Sequence, residues 1–171
     1  FKDLFFVASK ISKIIKKKAK ENHVILIVAR KDFFTIASIF ACILLGKPYS
    51  VVDFSMPRER LKKILEKCKA RLVLSSKKEN LSFLKLEIIN INKNYLINRK
   101  YASKFIIETI PDSKAFYTMF TSGSTGFPKG AIINRDSLLR FSKLCKQNFS
   151  LKNIDNLTNL NPTSYENYCY N

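Results

Sequence analysis

The chain has 171 residues, 46% of them hydrophobic, which is enough for one ordinary domain with a buried core and too apolar for a disordered segment. Its net charge is +18, from 31 Lys+Arg against 13 Asp+Glu, a balance that taken alone suggests nucleic acid or an anionic surface. The basic residues are spread along the chain and no zinc-finger or aromatic RNA-binding signature accompanies them, so no specific nucleic acid is expected and a basic nucleic-acid-binding module stands only as an alternative.

In chain order, Leu4, Val7, Ala8, Ile11, Ile14 and Ile15 fall at helical spacing, with lysines such as Lys16, Lys17 and Lys18 opposite, and predict an amphipathic helix over 3–19. Val24 to Ala29 is a continuous apolar run of strand length, as a buried parallel strand requires. Asp32 is placed to cap a second helix over 33–45, apolar nearly all round, and Gly46 to end it in a left-handed conformation. Tyr49 to Val52 reads as a second strand. Ser55 is expected to cap a third helix with Pro57 near its first position and Leu61, Ile64 and Leu65 facing inward.

Arg71 to Leu74 is a third strand and Leu86 to Asn90 a fourth, followed by the polar stretch from Asn90 to Arg99. Strands over 115–120 and 131–133 flank a glycine-rich segment, and Asp136 or Ser137 is expected to cap a last helix carrying Leu138, Leu139, Phe141 and Leu144. Strand–helix alternation of this kind predicts an α/β fold, doubly wound, with a mostly parallel sheet flanked by helices.

Four cysteines, Cys42, Cys68, Cys145 and Cys169, are far apart and form no C-x-x-C pair. They read as free thiols in a reducing compartment, which points to a cytoplasmic location, and they offer no metal site. His23, the single histidine, sits at a helix-to-strand junction and is expected at the surface, so a Ser-His-Asp or Cys-His mechanism is not expected here. The run Phe33 to Leu45 is too short to span a bilayer, which needs about 20 residues, and no membrane is expected as a partner. The chain begins at Phe1 without a methionine and stops in the aromatic-rich stretch Tyr165 to Tyr170, so it is expected to be part of a longer protein.

The chemistry concentrates in Thr121-Ser122-Gly123-Ser124-Thr125-Gly126-Phe127-Pro128-Lys129-Gly130. Glycines let backbone N–H groups turn toward one point, hydroxyls add donors, and a lysine at the rim supplies compact positive charge, which together suit phosphate oxygens. The order differs from the G-x-x-x-x-G-K-[ST] phosphate loop, because Pro128 stands where the second glycine would be, counting from Gly123.

It does resemble T-S-G-S-T-G-x-P-K-G, the signature of the adenylate-forming (AMP-binding) enzymes, which include acyl-CoA synthetases, luciferases and peptide-synthetase adenylation domains. Every specified position matches, and chance agreement is on the order of 10⁻¹¹ per window at roughly one in twenty per position. The stretch Leu44 to Asp53 is similar to the family's L-x-A-G-A-x-Y-V-P-L-D, and Met56-Pro57-Arg58-Glu59-Arg60-Leu61 to the Y-P-x-E-R-L of amino-acid adenylation domains. Ser164-Tyr165-Glu166 resembles the S-F-D of amino-acid-activating members, with glutamate in place of aspartate. Tyr168 stands where a serine is usual and Arg135 where a histidine is frequent.

The resemblance implies part of the large N-terminal domain of adenylate-forming enzymes: first βα units over 1–76, a variable connection over 77–111, and the phosphate loop with the start of the substrate pocket over 112–171. It implies ATP-dependent activation of a carboxylate as an acyl-adenylate, with release of pyrophosphate and transfer to a thiol of a phosphopantetheine carrier protein or coenzyme A. By resemblance, Thr121, Ser122, Gly123, Ser124, Thr125, Gly126 and Lys129 grip the ATP phosphates. Glu166 and Tyr165 contact an amino-acid substrate, the carboxylate pairing with its ammonium group. The family's Mg²⁺ and adenine motifs and its catalytic lysine would lie beyond Asn171, so no catalytic residue is assigned and the segment alone is expected to be inactive. The alternatives within the superfamily are a fatty-acyl or aryl-CoA ligase and a non-catalytic remnant.

Overall fold

The computed structural model describes residues 2–19, 23–77, 81–96, 115–122 and 128–150. In chain order the elements are α1 (Lys2–Lys18), β1 (Ile25–Ala29), α2 (Phe33–Leu45), β2 (Tyr49–Asp53), α3 (Arg58–Cys68), β3 (Leu72–Ser75), β4 (Glu87–Asn90), β5 (Ala115–Ser122), β6 (Pro128–Asn134) and α4 (Arg135–Asn148). Short 3-10 turns at Ser82–Leu84 and Lys93–Leu96 flank β4.

The strands form one sheet in the order β4-β3-β1-β2-β5-β6. The first five run parallel to their neighbours, and β6 returns antiparallel to β5. This is the doubly wound, mostly parallel arrangement that the alternation predicts. The central strand β1 is buried along its whole length, which explains its unbroken apolar run: a strand with helices on both faces has no side to leave polar.

Successive side chains of β1 serve opposite layers. Ile25, Ile27 and Ala29 pack with α1 and α2, while Leu26 and Val28 pack with Leu61, Ile64 and Leu65 of α3. The same division continues through Val51 and Leu74 on the first side and Val52 and Val73 on the second. Burying one such aliphatic side chain contributes about 1.5–3 kcal/mol, so the sheet is held mainly by this two-sided core.

The helix ends show where local chemistry decides and where it does not. Asp32 Oδ1 accepts from the Thr35 N–H at 2.8 Å, and Gly46 closes α2 at φ 58°, both as the residues predict. The expected cap at Ser55 is not formed. Pro57 occupies the N-cap position of α3 with no side-chain bond, while the Ser55 N–H and hydroxyl both donate to the Asp53 carboxylate. Asp53, at the end of β2, reaches the serine first because it lies two residues away, an Asx turn that competes with capping.

The cap of α4 is likewise neither Asp136 nor Ser137. Asn134 Oδ1 accepts from the Ser137 N–H at 2.9 Å, since the helix starts one turn earlier than its apolar residues suggest. Asp136 instead pairs with Arg140 at 2.8 Å. No residue of α4 is buried, although Leu138 packs partly against the first core cluster. His23 is half-buried.

Candidate functional site

The strands flanking the glycine-rich segment are longer than their apolar runs indicate. β5 continues through Thr121 and Ser122, and β6 begins at Pro128, because cross-strand hydrogen bonding carries polar residues into the ladder once a partner strand lies alongside. Thr121 pairs with Lys129 and Ser122 with Pro128, so these residues form the end of an antiparallel stem. Gly123, Ser124, Thr125 and Gly126 lie outside the described residues, as do Tyr165, Glu166 and Cys169.

β5 runs parallel to β2, with Tyr49 opposite Tyr117, so Thr121 and Ser122 emerge on the sheet's carboxyl edge beside the end of β2. Open α/β sheets bind ligands at that edge, outside the carboxyl ends of the strands. The same edge holds the Arg30 guanidinium 3.4 Å above the centre of the Phe54 ring. The Arg30 N–H donates to Thr35 Oγ1 at 3.1 Å, and the Phe54 N–H donates to Ala29 O at 3.2 Å, tying the turn after β1 to the turn after β2.

Alternation along the stem separates its side chains. Phe120 packs against the α3 layer, so its neighbour Thr121, together with the paired Lys129, belongs to the opposite face. Thr121 is half-buried and Lys129 exposed, which leaves a hydroxyl and an ammonium side by side at the carboxyl edge. The end of the stem thus presents a hydroxyl and an ammonium to that edge before any residue of the connecting segment is counted.

Gly130 is needed in this stem for room. Its backbone is extended, yet a Cβ there would come within 2.9 Å of Phe120 Cε1 and 3.3 Å of Phe120 Cζ. Phe120 and Gly130 are direct cross-strand partners, and the ring lies over the position a side chain would take. From the α3 side, Lys67 Nζ donates to Pro128 O at 3.0 Å. Neither contact is visible in the local sequence: Lys67 reads as one solvated lysine among many until the fold brings α3 alongside β6.

Two of the thiols, Cys42 and Cys68, are buried and not poised as nucleophiles. Burial pushes Cys42 far above its ordinary range and also raises Cys68, so both stay protonated at neutral pH. Among the described residues no group of three His, Cys, Asp or Glu lies together in a way that could hold a metal ion. No helix among the described residues is long and apolar enough to cross a membrane.

The family model described as AMP-binding enzyme matches residues 1–168. The chain belongs to that family. It is 33% identical over 135 residues to the D-alanine–D-alanyl carrier protein ligase of Bacillus cytotoxicus, an alignment covering 77% of this chain and 26% of that protein. The chain thus spans about a quarter of the length of the curated relatives it matches.

Among solved structures, a nonribosomal peptide synthetase in its AMPPNP-bound form superposes with TM-score 0.80 at 18% identity, covering 98% of this chain and 18% of that one. The fatty acyl-adenylate ligase of L. pneumophila, in complex with acyl adenylate and pyrophosphate, superposes with TM-score 0.81 at 18% identity, over 96% of this chain and 30% of that one. The fold is that of the N-terminal region of adenylate-forming ligases. It is shared by members that differ in acid substrate, so the fold alone does not select one.

Proposed function

We propose that the protein to which this chain belongs activates a carboxylate, an amino acid, as its acyl-adenylate and passes it to the thiol of a phosphopantetheine carrier protein, or else to coenzyme A. The observation that carries this reading is the pairing of Thr121 with Lys129 at the carboxyl edge of the sheet, in a chain of the AMP-binding family. The substrate carboxylate oxygen attacks the α-phosphorus of ATP, a new P–O bond forms, and the bond to the bridging oxygen breaks with its electrons leaving on pyrophosphate.

The triphosphate must be held in line for that displacement. Thr121, Ser122, Gly123, Ser124, Thr125, Gly126 and Lys129 are assigned to that grip, and Mg²⁺ would be held by residues other than those described. Glu166, with Tyr165 beside it, is assigned to the ammonium group of the amino acid. The likeness to D-alanine–carrier protein ligases supports an amino-acid substrate.

The test is ATP–pyrophosphate exchange by the full-length protein, driven by D-alanine, other amino acids or fatty acids in turn. Amino-acid-dependent exchange that falls at least about tenfold in Glu166→Ala is expected, since the substrate's ammonium group then loses the carboxylate assigned to pair with it. Exchange driven only by fatty or aryl acids and indifferent to Glu166→Ala would replace this reading with an acyl-CoA ligase. Absence of exchange with any acid would mark a non-catalytic remnant.

A further inference from the structure

We propose that Lys67 of α3 is a positioning residue for Lys129, an inference that rests on reading Lys129 as a phosphate ligand. Lys67 lies in the last turn of α3, and its ammonium donates to Pro128 O at 3.0 Å, a contact between residues 61 apart in sequence. The Pro128 carbonyl and the Lys129 N–H belong to one rigid peptide plane. Holding the oxygen sets the tilt of that plane, and with it the direction in which Lys129 leaves the strand.

The stem needs such a restraint at this point. Proline has no N–H, so at the end of the ladder Pro128 can offer only its carbonyl as a backbone hydrogen-bonding group. Helix α3 ties that carbonyl through a side chain. Pro128 is buried and Lys67 exposed, so the bond is partly buried and water competes for the carbonyl only in part.

A second contact acts from the same layer. The Phe120 ring covers Gly130 and packs with the α3 core cluster. Lys129 is therefore flanked by two residues that are both held from the α3 side, while its own side chain belongs to the other face. The arrangement fixes the backbone on both sides of a cation and leaves the ammonium available to a ligand at the carboxyl edge.

The experiment uses the full-length protein as wild type, Lys67→Met and Lys67→Arg. Met keeps the aliphatic stem and removes the donor; Arg restores a donor. In Lys67→Met the backbone amides of Lys129 and Gly130 are expected to exchange faster with deuterium, and KM for ATP in pyrophosphate exchange to rise about three- to tenfold with the KM for the acid unchanged. Lys67→Arg is expected to restore both. Unchanged amide protection in Lys67→Met would overturn the inference, and so would faster deuteration with an unaltered KM for ATP. A wild type with no ATP-dependent exchange would overturn the phosphate-grip reading and the functional half of this inference, and the amide data would show that this failure lies in the ligand and not in the tie.

Discussion

Replacing Gly130 by alanine tests the stem most directly. The new methyl would stand 2.9 Å from Phe120 Cε1, 3.3 Å from Cζ and 3.4 Å from Cδ1, so the ring has to move. Forcing an aromatic ring out of a packed site costs about 1–3 kcal/mol. Against this, alanine has fewer unfolded conformations than glycine, which returns about 0.4–1 kcal/mol because the backbone at Gly130 is ordinary extended strand that alanine adopts without strain. The net expectation is a loss of about 1 kcal/mol of stability.

The decisive measurement is a double-mutant cycle. In a Phe120→Leu background the ring is gone and only the unfolded-state gain remains, so Gly130→Ala is expected to be neutral or slightly stabilising there. A coupling of about 1–2 kcal/mol between the two sites follows, read from denaturant titrations of the four proteins. Equal effects of Gly130→Ala in both backgrounds would show that the ring does not set the cost and that this account of the glycine is wrong.

Two further outcomes follow from contacts elsewhere in the fold. Asn134→Ala removes the side chain that accepts from the Ser137 N–H and is expected to lower stability by about 1 kcal/mol, whereas Ser137→Ala should stay within a few tenths, the reverse of what capping by Ser137 would require. Cys42 is fully buried and its thiol is pushed up from an ordinary 9.0, so above that pH the unfolded chain releases a proton that the folded chain retains. Stability therefore holds below about pH 9 and falls above it with a slope approaching 1.4 kcal/mol per pH unit from this group. Cys68 and Tyr95, also raised by burial, add to the alkaline fall, and a chemical-denaturation series from pH 8 to 11 should be shallower in Cys42→Ala than in the parent.

Much of the fold was legible because short-range chemistry and burial agree. The apolar run of β1, the Asp32 cap with Gly46 at the far end of α2, and the inward Leu61, Ile64 and Leu65 each satisfy a local rule that the tertiary structure then uses unchanged. Reading failed where a neighbour in space or sequence offered a better partner. Asp53 captures Ser55 before it can cap α3, and hydrogen bonds across the hairpin extend β5 and β6 into polar residues that carry no strand signal of their own.

The candidate site divides the same way. The residues from Thr121 to Gly130 read, one at a time, as a loop suited to phosphate, and it was their resemblance to a known signature that indicated the family. What holds the two ends of that segment could not be read so. The pairing of Thr121 with Lys129, the Phe120 ring over Gly130 and the tie from Lys67 to Pro128 depend on which strands lie side by side and which helix crosses behind them. Residues distant in the chain acquire partners only when burial of the two apolar layers sets the sheet's order, so the sequence shows which groups the segment carries and packing alone determines what supports its two ends.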